Sequence, residues 1–210
     1  MNNNVVYLYV FDTMADWEVG CLTAELNTGR YFKKGLAPVK IVTVAQDASP
    51  VVTKGGLRIL PDITLSACRA ESAVALILPG GDTWMEAMHD PILSLAEDFL
   101  RKDVLVAAIC DATVGLAKKG LLDARRHTSS DLEYLKMVCP GYAGAAYYSY
   151  EPAVTDGNLI TAAGVAPLEF TVQVLKALDV FSAETLDAWY HLFKTHEPEH
   201  YFALMRAVQS

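Results

Sequence analysis

Long apolar runs, basic clusters, closely spaced cysteines and glycine-rich nucleotide loops are all missing from this sequence, and each absence excludes something. No apolar stretch approaches the roughly 18 residues of a membrane span, so no membrane partner is expected. Positive charge is scarce: 17 Lys and Arg stand against 25 Asp and Glu, a net charge of −8. A nucleic-acid-binding surface normally shows as a basic stripe. Here the pairs Lys33-Lys34, Lys118-Lys119 and Arg125-Arg126 are scattered and read as solvated faces, so no nucleic acid is expected either. The first basic residue is Arg30, which leaves no positively charged start for a secretory signal. No G-x-G-x-x-G follows the first apolar run, and Lys118-Lys119 lie in no phosphate-binding loop, which argues against NAD or ATP and for no cofactor at all.

Cysteine is sparse. Cys21, Cys68, Cys110 and Cys139 form no C-x-x-C pair and no dense disulfide framework. A reducing compartment follows, and with the acidic charge it predicts a cytoplasmic globular protein.

What is present is enough for one sizeable core. The chain has 210 residues, 52% of them hydrophobic, and no repeat or low-complexity linker. The expectation is a single α/β domain over 1–210, with 182–210 a C-terminal helical extension packed on it. Val5 to Phe11, Val39 to Ala45, Ala73 to Leu78 and Val104 to Ile109 read as buried strands. Helices are predicted over Trp17–Phe32, Pro91–Arg101, Thr113–Lys119 and Asp131–Val138. Gly55-Gly56 suggests a tight hairpin within Val51–Pro61, and Asp156-Gly157-Asn158 suggests a second. Two or three helices fill Pro167 to Val208, with Pro198 dividing the last pair. Apolar strands alternating with helices imply a doubly wound, mostly parallel sheet with helices on both faces.

In such sheets ligands bind beyond the carboxyl ends of the strands. Three features fall there: Asp12 to Glu18, Pro79 to Trp84, and Cys110-Asp111. Cys110 ends the strand VLVAAI and stands immediately before a helix, with Ala108 and Ala112 two residues to either side. Small flanking residues are what a sharp strand-to-helix nucleophile elbow requires. The following helix N-terminus is expected to favour thiolate, and the Asp111 amide to face an oxyanion on a substrate bound to sulfur. Gly80-Gly81 could expose a second donor. Glu18, just past the first strand, either favours the dipole of the helix it begins or keeps a proton beside the thiol, and Asp12 and Asp16 compete for that second role. His127 is nearest the elbow and could serve as base, while its polar surroundings also suit a surface residue. His191, His196 and His200 span H-x4-H-x3-H, but Pro198 interrupts the helix and no metal site is expected. Leu186, Trp189, Tyr190 and Phe193 form one apolar stripe that covers the domain's own core or meets another subunit.

These residues together resemble the ThiJ/PfpI family of the class I glutamine amidotransferase-like fold, from about Val5 to Leu178. The resemblance is carried by Asp16-Trp17-Glu18, by Leu78-Pro79-Gly80-Gly81, and by Ala107-Ala108-Ile109-Cys110 ahead of Gly115-Leu116-Ala117. It continues through Leu121-Leu122, His127-Thr128-Ser129, the run Thr155 to Gly164, and Glu169-Phe170. The family likeness implies a flavodoxin-like sandwich, Cys110 as elbow nucleophile, Glu18 as its protonated partner, and Gly81 and Asp111 amides as an oxyanion hole. It also implies a homodimer, and activities ranging over cysteine peptidase or amidase, glyoxalase and deglycase chemistry, chaperone action and oxidative-stress sensing.

Two departures bear on activity. Protease-like members of that family usually carry His directly after the cysteine, where this chain has Asp111. Many others place His or Trp near the position of Ser130, whereas His127 lies three residues earlier. An aspartate cannot replace an imidazole as proton acceptor, and its charge opposes thiolate. The leading expectation is therefore a cysteine-dependent enzyme acting on a small carbonyl or amide substrate. A cysteine redox sensor or chaperone-like stress protein is the alternative, and an amidotransferase-like protein without independent activity is another.

Overall fold

The computed structural model describes residues 4–209. Seven strands form one sheet: β1 (Val5–Tyr9), β2 (Lys40–Ala45), β5 (Ile63–Thr64), β6 (Ala75–Leu78), β7 (Leu105–Ile109), β8 (Ala153–Asp156) and β9 (Leu159–Ala162). Two more, β3 (Val51–Val52) and β4 (Arg58–Ile59), form a separate hairpin. The sheet order is β5-β2-β1-β6-β7-β9-β8, parallel throughout except that β8 runs antiparallel to β9. Every residue of β6 and β7 is buried, as their unbroken apolar sequences require of central parallel strands. With its covering helices this is the doubly wound α/β fold expected.

The chain winds outward from β1 through β2, then returns to place β6 on the other side of β1. That reversal falls at the carboxyl ends of β1, β6 and β7, the usual ligand position in such sheets. The helices are α1 (Gly20–Thr28), α2 (Asp90–Arg101), α3 (Ala112–Lys118), α4 (Leu132–Val138), α5 (Pro167–Ala177), α6 (Ala183–Thr195) and α7 (Pro198–Gln209).

Several boundaries differ from the sequence reading. The predicted Trp17–Phe32 helix is shorter, because Asp16–Glu18 is a separate 3-10 turn and Gly29 closes α1 in the left-handed region at φ 59°. The hairpin around Gly55-Gly56 is not a two-residue turn: Thr53 N–H donates to Leu57 O at 2.9 Å, and only Gly56 of the pair has positive φ, 85°. The short strand β5 had no sequence signal. The turn at Gly157 is tight, pairing Asp156 with Leu159.

The α6 stripe turns inward. Trp189 is fully buried and donates its indole N–H to Glu25 Oε1 of α1 at 3.0 Å, and Leu186, Tyr190 and Phe193 pack beside it on the same core. Glu25 also pairs with Arg30, so the buried carboxylate is compensated on both oxygens. His196 ends α6 in the left-handed conformation at φ 64°, and α7 folds back to bury Leu204.

Candidate active site

Cys110 follows β7 directly and sits at φ 59°, a backbone conformation that side-chain-bearing residues rarely adopt. The strain is held from both sides. Cys110 N–H donates to Ala162 O of β9 at 3.0 Å, and its carbonyl accepts from Thr113 N–H at 3.0 Å and Thr113 Oγ1 at 2.6 Å. Thr113 Oγ1 in turn meets Ser129 Oγ at 2.7 Å. This is the sharp turn that the small residues around Cys110 foretold, and such strain concentrates at functional positions.

The sulfur lies between two glycines. A Cβ on Gly80 would stand 2.9 Å from Cys110 Sγ, and one on Gly164 would stand 2.6 Å from it. Glu18 approaches the same place, since a Gly80 Cβ would also lie 2.9 Å from Glu18 Oε1. The other carboxyl oxygen, Oε2, accepts the Gly80 N–H at 2.6 Å. Oε1 is buried and makes no hydrogen bond of good geometry among the described residues. A buried unpartnered oxygen is costly, so it is best kept protonated or given a partner.

Burial pushes the Glu18 carboxyl up to about 7, against the opposing effect of the Gly80 amide and the Cys110 thiol. Burial, then the charges of Glu18 and Asp111, push the Cys110 thiol up to about 12, while the Asp111 N–H bonded to sulfur acts the other way. The amide at the α3 N-terminus acts on Cys110 in the expected direction, while burial and the charges of Glu18 and Asp111 act against it. The charge of Glu18 thus opposes ionisation of the thiol, whereas the thiol favours ionisation of the carboxyl.

The oxyanion positions are arranged as follows. Asp111 N–H points at the sulfur. The Gly81 amide has no acceptor among the described residues, while a Cβ on that glycine would strike the Phe11 ring at 2.5 Å. Asp12 and Asp16 turn to the hairpin instead: Asp12 Oδ1 accepts Val52 N–H at 2.7 Å, and Asp16 Oδ2 accepts Thr53 Oγ1 at 2.6 Å. Glu18 alone of the three reaches Cys110.

His127 is not a base in this arrangement. It is fully buried, neither a surface residue nor a neighbour of the thiol: Nδ1 donates to Arg125 O at 2.7 Å and Nε2 meets Tyr142 Oη at 2.5 Å. Burial holds its pKa below the ordinary value. His89 is likewise a core residue, bonded to Tyr9 Oη at 3.0 Å and Thr83 Oγ1 at 2.9 Å, its pKa lowered to about 4 by burial.

The pattern of elbow cysteine, buried glutamate and glycine cradle can be set beside known proteins. The DJ-1/PfpI family profile matches residues 4–177. This chain belongs to the DJ-1/PfpI family. It is 54% identical over 208 residues to a Bacillus subtilis protein called uncharacterized protease YoaZ, covering 99% of each chain. A crystal structure of a ThiJ/PfpI family protein from Bacillus anthracis superposes with a TM-score of 0.96 at 55% identity, over 99% of this chain and 98% of that one. A DJ-1 superfamily protein from Agrobacterium tumefaciens gives 0.80 at 33% identity, over 91% of this chain and 98% of its own. Within this DJ-1/PfpI member α6 and α7 lie beyond the matched residues.

Sequence reasoning gave no role to Gly164, a neighbour of the thiol, nor to Lys54. Gly164 follows β9, whose pairing of Ala162 with Ile109 of β7 brings the end of one strand beside the elbow of the other. The signal was two strand ends, legible only once their adjacency is known. Lys54, at the turn of the β3–β4 hairpin, pairs with Asp82 Oδ1 at 2.5 Å and acts electrostatically on Glu18 and Asp111. Among the described residues the one metal-like grouping is Glu197, Glu199 and His200, within 4.8 Å of one another at the α6–α7 corner.

Proposed function

We propose that this DJ-1/PfpI protein is a cysteine-dependent enzyme in which Cys110 adds to a small carbonyl substrate. The observation that carries this reading is the strained Cys110, its sulfur between Gly80 and Gly164 and facing the unpartnered Glu18 Oε1. Addition of the sulfur to an aldehyde carbon forms one C–S bond and places the carbonyl electrons on oxygen as an alkoxide. The amides of Gly81 and Asp111 supply donors for that oxygen, and Glu18, with a pKa of about 7, exchanges a proton with the adduct at neutral pH. With an α-oxoaldehyde, proton transfer between the two carbons turns the adduct into a thioester, and attack of water on that thioester breaks the C–S bond, releases a hydroxy acid and returns the thiol, which is glyoxalase-type chemistry.

Amide hydrolysis asks for more, because the departing amine must receive a proton from an acid positioned on it. His127 cannot supply it with both ring nitrogens occupied, and Asp111 stands where an imidazole would be needed. The relatives named as uncharacterized proteases keep the hydrolase reading in play, and the same experiment decides it. Wild type and Cys110→Ser are assayed with methylglyoxal and with a panel of amide substrates. Turnover of methylglyoxal that Cys110→Ser abolishes supports carbonyl addition; turnover confined to amides overturns it.

A second reading, reversible oxidation of Cys110 in a stress sensor, is favoured by one observation: Glu18 Oε1 is a free partner for a sulfur-bound oxygen. Peroxide treatment followed by intact mass tests it. We also infer a cytoplasmic homodimer. All four cysteines are free, as suits a reducing compartment, and Trp17, 54% exposed beside buried Glu18, offers an apolar contact at the pocket rim.

A further inference from the structure

A cavity of about 380 Å³ lies between the segment 128–131, the loop before β8 and the start of α5. Its lining includes Ser130, Tyr150, Glu151, Glu169 and Lys194. Volumes of this order hold small organic ligands.

Gly164 joins this cavity to the sulfur. A Cβ on that glycine would stand 2.6 Å from Cys110 Sγ and 3.5 Å from Ser130 Oγ, so the thiol and the hydroxyl converge on one point. Ser130 Oγ accepts the Gly164 N–H at 3.2 Å and keeps its own proton to donate. Ser129, also in the lining, meets Thr113 Oγ1 at 2.7 Å, and Thr113 Oγ1 donates to the Cys110 carbonyl at 2.6 Å. The cavity wall and the elbow are one hydrogen-bonded unit.

The chemistry of the lining narrows what it takes. Three lining residues are acidic, Asp131, Glu151 and Glu169, against the single ammonium of Lys194, so an anionic tail meets like charge. Each carboxylate also has protein donors. Asp131 Oδ1 accepts Tyr134 N–H at 2.7 Å, and Glu151 Oε1 accepts from Arg126 at 3.0 Å and Ser149 Oγ at 2.9 Å. Glu169 Oε1 accepts from Tyr190 Oη at 2.8 Å and Lys194 Nζ at 2.7 Å. Partnered carboxylates are poor traps for a cation, yet their remaining lone pairs accept from hydroxyl groups. Tyr150, 83% exposed and packed edge-on against Tyr148 at 5.1 Å, adds an apolar ring with a polar tip.

We propose that this cavity is the distal substrate subsite of the Cys110 centre and that it takes an uncharged polyhydroxy chain, so that the substrate is an α-oxoaldehyde carrying hydroxyl groups beyond its reacting carbonyls. The inference rests on the reading of Cys110 as a nucleophile towards carbonyls and names the substrate class for it. Ser130 and Glu169 exchange hydrogen bonds with the hydroxyls, and Tyr150 covers the carbon chain. At the reacting end one water is taken up, the aldehyde carbon is oxidised to the acid and the neighbouring ketone carbon reduced to the alcohol, with no outside oxidant.

The test compares 3-deoxyglucosone, a six-carbon α-oxoaldehyde with a hydroxylated tail, with methylglyoxal in the intact protein. Wild type should prefer 3-deoxyglucosone in kcat/KM by about tenfold or more. Tyr150→Ala and Glu169→Gln should each cut that preference about threefold to tenfold through the KM of the longer substrate, because they remove contacts with its tail. Turnover of both substrates without preference, or a preference indifferent to both substitutions, overturns the subsite and leaves the nucleophile reading standing. Faster turnover of an α-oxoaldehyde with a phosphorylated or amino-bearing tail overturns the uncharged class. Absence of turnover with all of these substrates overturns carbonyl addition and this inference together. Tyr150 is exposed enough for its truncation to leave the fold intact, so that variant decides if Glu169→Gln fails to fold.

Discussion

Gly164 and Cys110 are in contact across two neighbouring strand ends, so close that a single methyl group on Gly164 would lie 2.6 Å from Sγ and 3.0 Å from Cys110 Cβ. Neither residue can shift freely. Gly164 N–H is bonded to Ser130 Oγ at 3.2 Å, and Cys110 N–H to Ala162 O at 3.0 Å.

Gly164→Ala is therefore expected to displace the sulfur from between the glycines. Iodoacetamide labelling of Cys110 should fall by about tenfold or more, with a stability loss of about 1–3 kcal/mol from overpacking. Urea unfolding and peptide mapping check both. Unchanged labelling would show that the contact does not position the thiol.

Glu18 ties stability to pH. Its folded pKa of about 7 lies above the ordinary value of 4.5 for its unfolded state. Between those values the native state binds more protons than the unfolded one, so stability falls as pH rises from about 4.5 to 7 and levels off above. Glu18→Gln keeps an acceptor for the Gly80 amide and lacks this titration. Relative to wild type it should gain stability across that window, by up to about 3 kcal/mol at the upper end. Thermal melts of both proteins from pH 4 to 8 measure it; parallel curves would remove Glu18's raised pKa.

His127 separates structure from catalysis. His127→Phe loses the bonds to Arg125 O and Tyr142 Oη, which should cost about 1–3 kcal/mol. Because neither bond touches Cys110 or Glu18, the pH profile of Cys110 alkylation should stay within about twofold of wild type. A collapse of thiol reactivity in a folded variant would return His127 to the site.

Trp17 reports assembly. Light scattering over a dilution series is expected to give a dimer for wild type and a shift towards monomer for Trp17→Ser, because an apolar rim residue loses its contact area. A monomeric wild type at all micromolar concentrations, with full activity, would end the dimer reading.

The elbow was legible because its requirements are local. A buried strand, a cysteine at its end, alanines two residues away and a helix start are all contiguous in the chain, and the structure places Cys110 at φ 59° accordingly. His127 was misjudged because burial is not local: the polar string from Ala124 to Thr128 gives no hint that Tyr142 and Tyr148 close over the ring. The thiol's setting was only half legible for a related reason, since a helix start can be read from sequence while the desolvation that acts against it cannot.

By itself the sequence determined the alternation of apolar strands and helices, the carboxyl ends of the strands and the elbow at Cys110, because periodicity and steric demand act over a few neighbouring residues. Tertiary structure alone decided which of three acidic residues meets the thiol, that Gly80 and Gly164 flank the sulfur, and that Lys54 of the hairpin pairs with Asp82. Those contacts join β1, β3–β4, β6, β7 and β9, segments separated along the chain, and their distances are set by sheet order and pairing register.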